Sequence, residues 1–429
     1  MRNKRKEIIR KIKASEFFVA FSTTGLTSVL QILTGLVINK IIAVKIGPSG
    51  IAFLGQFANF RDIMTNFGTG SFGQGVTKYV ADEKYDDKTI ISTSLIFSFA
   101  ISLIIGSIIL IFSANLSFLL FNTIEYQFIF YIFSFTITFY SLNNILLSIV
   151  NGKRKFGFLA KMKSLNSIVS LIVSSLLCWY FGIEGALIAM SINTSLVFFI
   201  TLYLYKISDD KFIDFSFRYW SSPVIKKLLG FTLMMITAAL LKPAVEFFLR
   251  NHIINESGIN DAGLWESMMK ISLYYTQIIT VGLGVYYLPK LSSLDSDAEI
   301  KKELFNGIKK IMPLYFLIAI VLYSLRVLII KLLFSLEFIG MVDLFMPQLI
   351  CDFFMVFSFL LAYIMLAKAM TLVFVITQII VSLIRVFFSV WLYSLEGIEG
   401  IIWASALTYV FYAIMMIFIF RKILFSKLN

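Results

Sequence analysis

The chain has 429 residues, is 59% hydrophobic and only 15% charged, and carries a formal net charge of +13 with a mean hydropathy of +0.87. No soluble domain hides that much apolar surface, and apolar runs of about 20 residues recur along the whole length, as membrane-spanning helices require. One histidine (His252) and two cysteines (Cys178 and Cys351) exclude a disulfide framework and a Cys/His metal site by count alone. Both cysteines lie inside apolar runs and read as small buried hydrophobes. On such a chain the positive charge points to basic loops beside an anionic leaflet, not to nucleic acid.

The chain opens with MRNKRKEIIRKIKAS, which carries seven Lys/Arg. The apolar stretch that follows, 17–39, is too long for a signal peptide and has no small-residue cleavage site, so it reads as a retained first span with a basic anchor. Further spans are expected at 51–77, 90–113, 127–150, 164–181, 185–205, 228–249, 263–289, 311–330, 342–367, 372–393 and 398–420. That makes twelve, an even number, which puts both termini on one side. Of the 38 Lys/Arg, 29 fall on the side of the termini and 4 on the opposite side. This positive-inside asymmetry makes the basic N-terminus (1–16) and the C-terminus (421–429) cytoplasmic. No connecting loop is long enough for a soluble catalytic domain.

The stretch GIEGALIAMS (Gly182–Ser191) almost returns as GIEGIIWASA (Gly397–Ala406), 215 residues later. Gly50 and Gly263 correspond at an offset of 213, and Lys78 and Lys290 at 212. Six spans per copy give both copies the same orientation. The expected fold is therefore all-α integral membrane: twelve transmembrane helices in two parallel-repeat six-helix bundles around a central cavity. The lobes would be 17–205 and 228–420, joined by a cytoplasmic linker, 206–227. Paired bundles of this kind rock around a central site, which favours transport over catalysis.

Charges inside spans are the informative residues, since each costs roughly 2.5–3.5 kcal/mol at mid-bilayer. The second span carries Arg61 and Asp62; because adjacent positions diverge by about 100°, the two are expected to point apart. The seventh carries Lys242 and Glu246, with Arg250 a turn further out, and the eighth Glu266 and Lys270. The i,i+4 spacing lets each Glu/Lys pair neutralise itself, as structural glue, or line a cavity. Arg326 lies near the outer end of the ninth span, where snorkelling to the interface competes with function. Asp352 and Arg385 lie in the tenth and eleventh spans. Cations outnumber unpaired acids, so a cavity lined by Arg61, Lys242, Lys270 and Arg385 would favour an anion. Arg61 and Lys270 sit at equivalent places in the repeat and are expected to face a shared cavity. Asp352, Glu246, Glu266 and Asp62 are candidate ion-coupling or pairing acids. The stretch FGTGSFGQGVTKYV (Phe67–Val80) carries Gly68, Gly70, Gly73 and Gly75; with Lys78 and Lys290 it reads either as a bendable cytoplasmic gate or as close packing through small residues. No Walker loop or Ser/His/Asp set is present, so the chain is read as a non-enzyme without cofactor, with H⁺ or Na⁺ coupling left open.

Several stretches resemble a known family: GPSGIAFLGQFANFRD (Gly47–Asp62), GVTKYVAD (Gly75–Asp82), VYYLPKLSSL (Val285–Leu294), LFMPQLICDFF (Leu344–Phe354) and YIMLAKA (Tyr363–Ala369). They are similar to the Wzx-type O-antigen and lipid III (enterobacterial common antigen) flippases. These form part of the polysaccharide-transport branch of the multidrug/oligosaccharidyl-lipid/polysaccharide exporter superfamily. Arg61 matches the family's ANFR arginine, Lys78 its TKY lysine and Asp352 its QLxxD aspartate. The resemblance implies a multi-pass protein of the bacterial inner membrane that moves an undecaprenyl-pyrophosphate-linked oligosaccharide from the cytoplasmic to the periplasmic leaflet. Its expected partners are that lipid-linked oligosaccharide, membrane lipids and the polymerase and chain-length machinery, with no nucleic acid. A drug exporter of the same superfamily is the alternative, opposed by the cation excess. An integral-membrane glycan-modifying enzyme is a weaker one, opposed by the lack of a long outer loop or a catalytic His/Asp pair.

Overall fold

The computed structural model describes residues 25–81, 86–207, 216–283, 287–292, 294, 296–368 and 370–425. The basic N-terminus, residues 17–24 of the first expected span, Asp82, linker residues 208–215 and the last four residues lie outside them. The described chain is helical throughout. Its helices are α1 (Gly25–Lys45), α2 (Gly47–Gly68), α3 (Gly73–Ala81), α4 (Asp87–Ile111), α5 (Ser113–Phe121), α6 (Gln127–Gly152) and α7 (Phe156–Ile207). After these come α8 (Ser222–Ser257), α9 (Ile259–Gly282), α10 (Leu288–Ser292), α11 (Asp297–Ser324), α12 (Arg326–Leu333), α13 (Phe345–Ala367), α14 (Thr371–Ile419) and α15 (Arg421–Leu424). Among the described residues, seven helices are long and apolar enough to cross a membrane: α1, α4, α6, α7, α11, α13 and α14.

The chain groups into two compact units, residues 1–38 with 61–239 and residues 39–60 with 240–429. The first unit is built around α4, α6 and α7. Its helices invert the soluble pattern. Ser94, Ser98 and Ser102, one α4 turn apart, are fully buried, while Ile104, Ile108 and Ile111 are exposed. Small polar residues let helices approach closely and are stable inside a bundle whose outer face meets hydrocarbon. The same closeness shows at Gly68 and Gly73, where an added Cβ would lie 2.8 Å and 2.9 Å from the hydroxyls of Ser141 and Ser148 on α6. Linker residues 216–221 are pinned rather than loose. The backbone N–H of Ser216 donates to Ser92, that of Ser221 donates to Thr93, and Thr93 donates to the Tyr219 carbonyl.

The second unit packs α13 against α14, α11 and α9. The expected ninth span, 311–330, is displaced: α11 starts at Asp297 on a Ser296 N-cap and ends at Ser324. Periodicity missed this because the first turns, DAEIKKELFNGIKK, are too charged to read as a span. Arg326 opens the separate α12 and stacks 4.2 Å over the Tyr323 ring.

The two GIEG turns have nearly the same backbone. The 52-residue α7 is broken at Gly182 (φ 57°, ψ −131°) and the 49-residue α14 at Gly397 (φ 59°, ψ −136°). Residues with a Cβ rarely reach this region. Three residues on, a Cβ at Gly185 would drive into the Leu177 carbonyl, and one at Gly400 into that of Leu392. The first glycine thus supplies the turn and the second the close approach, in the same way at both turns. Gly400→Ala is expected to lower the melting temperature of the purified protein by several degrees, since it must spread the hairpin. Gly157→Ala, where an added Cβ meets nothing, is the control expected to change little.

Candidate transport site

Within the second unit, α2, α8, α9, α13 and α14 bring most of the charged candidates into two arrangements. The first is closed. Arg250, 1% exposed at its side chain, forms an ion pair with Glu266 and lies 5.6 Å over the Trp265 ring. Gly55 of α2 makes room for it: a Cβ there would lie 2.7 Å from the Glu266 carboxyl carbon and 3.0 Å from the guanidinium carbon. Gln56 then donates to Asn251 at 2.7 Å. Helix spacing alone pairs Glu266 with Lys270, four residues on. Arg250 takes it instead, because spacing sees only one helix and Arg250 arrives from another. Stranding either member of so buried a pair costs about 3–5 kcal/mol, which marks it as a structural clamp.

The second arrangement is open. Lys270 donates to Asn39 at 3.3 Å, and Asn39 in turn donates to Tyr274. Arg385 is 8% exposed and donates to Ser405 at 3.3 Å. Among the described residues neither cation has a carboxylate within ion-pair distance. Lys242 does, at 3.8 Å from Glu246, yet its side chain remains 65% exposed. Asp352 is 1% exposed and receives three neutral donors: Ser272 at 2.6 Å, Tyr275, and Gln348 at 3.0 Å. Its charge is therefore matched by dipoles, not by a cation bonded to it.

In the first unit Arg61 does not point away from Asp62. Its Nε and Nη2 both donate to one Asp62 oxygen, at 3.1 Å and 2.8 Å. The long arginine arm spans the angle that separates adjacent helical positions. The glycine-rich stretch is a helix break: α2 ends at Gly68, Gly70 (φ 66°) and Ser71 (φ 54°) turn the chain, and α3 restarts at Gly73. Gly75 is buried in α3, and Lys78 is exposed in its last turn, as Lys290 is in α10. A cavity of about 610 Å³ opens beside this break, lined from α2, α3, α6, α7 and α8 by residues that include Asn66, Asn144, Asn151 and Lys163. The sequence gives no hint of it, because polar uncharged residues on separate helices leave no one-dimensional signal. No grouping of three or more His, Cys, Asp or Glu able to hold a metal ion occurs among the described residues.

The sequence model of the family described as "Polysaccharide biosynthesis protein" matches residues 54–343. The chain is 28% identical over 404 residues to the lipid III flippase of Escherichia coli (strain K12), covering 91% of this chain and 94% of that one. The lipid III flippase of Shigella flexneri matches to the same extent. Among solved structures, an inward-facing multidrug resistance MATE family transporter of the MOP superfamily superposes with a TM-score of 0.79, at 18% identity, over 91% of this chain and 94% of that one. At that identity the likeness is one of fold.

Proposed function

The chain belongs to the polysaccharide biosynthesis protein family, and we propose that it is a flippase carrying an undecaprenyl-pyrophosphate-linked, O-antigen-type oligosaccharide from the cytoplasmic to the periplasmic leaflet. It is a transporter of this family, not an enzyme. One observation carries the substrate class: Lys270 and Arg385 are held on neutral side chains, Asn39 and Ser405, while Glu266, the carboxylate four residues before Lys270, is engaged by Arg250. Two cations kept this way supply charge for a visiting anion, and a pyrophosphate is the anion that such a cargo brings.

On this reading the chain crosses the inner membrane twelve times with both termini cytoplasmic, in two copies of a six-span repeat. The repeated glycine geometry at Gly182/Gly185 and Gly397/Gly400 supports the repeat. Alternating access through a cationic cavity moves the glycan, whose hydroxyls would otherwise lose water without replacement. Lys242, with Glu246 beside it, assists Lys270 and Arg385, and Arg61, with Asp62 beside it, is the candidate cation of the other unit. Gly68 to Gly75 with Lys78, and Lys290 in the second copy, form the cytoplasmic gate.

The test is a leaflet assay. In proteoliposomes holding fluorescent lipid-linked oligosaccharide on the inner leaflet, the protein is expected to expose the label outside while the glycan stays chemically unchanged. A new glycan product without leaflet transfer would replace the flippase with an enzyme.

A further inference from the structure

The cavity at the α2–α3 break has a lining unlike that of the charged cluster in the other unit. Four hydroxyls face it, and each has its proton committed to a backbone carbonyl. Thr69 and Ser71 both donate to Asn66 at 3.0 Å, Thr77 donates to Ser148 at 3.0 Å, and Ser148 donates to Asn144 at 2.9 Å. A hydroxyl whose proton is spent has only lone pairs left to offer. This part of the wall is therefore an array of acceptors fixed by the backbone. Asn66 spends one amide proton on the Asp62 carbonyl at 2.7 Å, which leaves its amide oxygen to accept and its second amide proton to donate.

Two amides remain uncommitted. Asn144 and Asn151, seven residues apart on α6, line the cavity with no side-chain hydrogen bond to any described residue. Lys163 adds one ammonium, with no carboxylate within ion-pair distance among the described residues. The volume, about 610 Å³, falls within the range of roughly 300–1,000 Å³ typical of small-molecule sites.

A ligand for such a wall must bring its own donors. An ionised phosphate brings none, so these hydroxyls offer it no donor and their lone pairs repel it. A sugar brings several hydroxyls, each able to donate to a fixed acceptor while accepting from Asn144, Asn151 or Lys163. We propose that this cavity is a sugar-recognition site, which takes a neutral sugar of the lipid-linked glycan and leaves the pyrophosphate to the cations described above. The proposal rests on the flippase reading and deepens it: the neutral part of the cargo is read by residues other than the cations that take its anionic part.

Binding of five lipids to the purified full-length protein in nanodiscs tests this. The probes are undecaprenyl pyrophosphate without sugar and the same lipid capped with glucose, galactose, N-acetylglucosamine or N-acetylgalactosamine. At least one capped lipid is expected to bind about tenfold more tightly than the bare one, the equivalent of ~1.4 kcal/mol. In Asn144→Ala and Asn151→Ala that ratio is expected to fall towards one. Neither side chain forms a hydrogen bond to a described residue, so continued binding of bare lipid reports a folded variant.

If the bare lipid binds but no capped lipid binds better, the sugar site is overturned while the flippase reading stands. A preference that survives both substitutions places the sugar elsewhere and also overturns it. Weaker binding of the bare lipid in Lys163→Gln would mean that the cavity takes the pyrophosphate, which overturns the sugar site as well. If none of the five lipids binds the wild-type protein, the flippase reading falls and takes this site with it.

Discussion

Arg385→Met is expected to reduce transport of lipid-linked oligosaccharide by about a hundredfold while leaving the melting temperature unchanged or raised. Losing one member of a buried, charge-assisted contact with the cargo costs about 2–5 kcal/mol, and a hundredfold loss lies within that range. The stability half follows from what Arg385 touches. It is 8% exposed, and its one hydrogen bond among the described residues is to Ser405 at 3.3 Å. A cation held without an anion destabilises the protein that holds it, and an apolar side chain of similar length relieves that cost. Keeping a costly charge is reasonable only if a ligand uses it. Lys270→Met, whose ammonium rests on Asn39, is expected to behave in the same way. Arg385→Lys is expected to retain part of the transport. Arg250 supplies the contrast. Its ion pair with Glu266 is buried, so Arg250→Met strands a carboxylate and is expected to lose stability and transport together. A full-rate Arg385→Met transporter, measured in the leaflet assay, would make that arginine idle and move the anion site to Lys242.

The difference between these residues marks how far the sequence could be read. The GIEG turns were legible because a glycine needed for positive φ and another needed for close approach leave the same letters at both turns. Asp352 was also legible: no cation lies within a turn of it in sequence, and in the fold three neutral donors surround it. Pairings between helices were not. Glu266 has Lys270 as its neighbour along one helix, but Arg250 captures it across the space opened by Gly55. Arg61 and Asp62 diverge by helical geometry, and side-chain length overcomes the angle. The cavity beside the α2–α3 break left no signal at all, because its amides and hydroxyls are ordinary in any helix and become a site only when α2, α3, α6 and α7 converge. Helical periodicity reports one element's faces; it does not report which faces meet.

An imposed membrane potential, negative on the side from which cargo leaves, is expected to drive net flipping without any added ion gradient. The cargo's pyrophosphate diester carries about two negative charges. Each gains about 2.3 kcal/mol per 100 mV on moving outward, so the pair gains ~4.6 kcal/mol, a bias on the order of 10³ in the leaflet ratio. A pH gradient, acidic outside, is expected to add a further increment through Asp352. Glu246 and Glu266 are tied to Lys242 and Arg250, so protonating either breaks an ion pair. Asp352 is held by Ser272, Tyr275 and Gln348, all neutral, so it can exchange a proton without stranding a bonded cation. A proton carried inward as cargo moves outward adds its own charge to the drive with the same sign. Potential and pH gradient should therefore act together in the wild-type protein. In Asp352→Asn, which keeps the size and most of the hydrogen bonding, the response to potential should remain and the response to pH should vanish. The measurement is the steady-state leaflet ratio of fluorescent cargo in proteoliposomes, with potential and pH gradient imposed separately. A ratio that ignores both would make the protein an equilibrating carrier, and a pH response that survives in Asp352→Asn would pass the proton to Glu246 or Glu266.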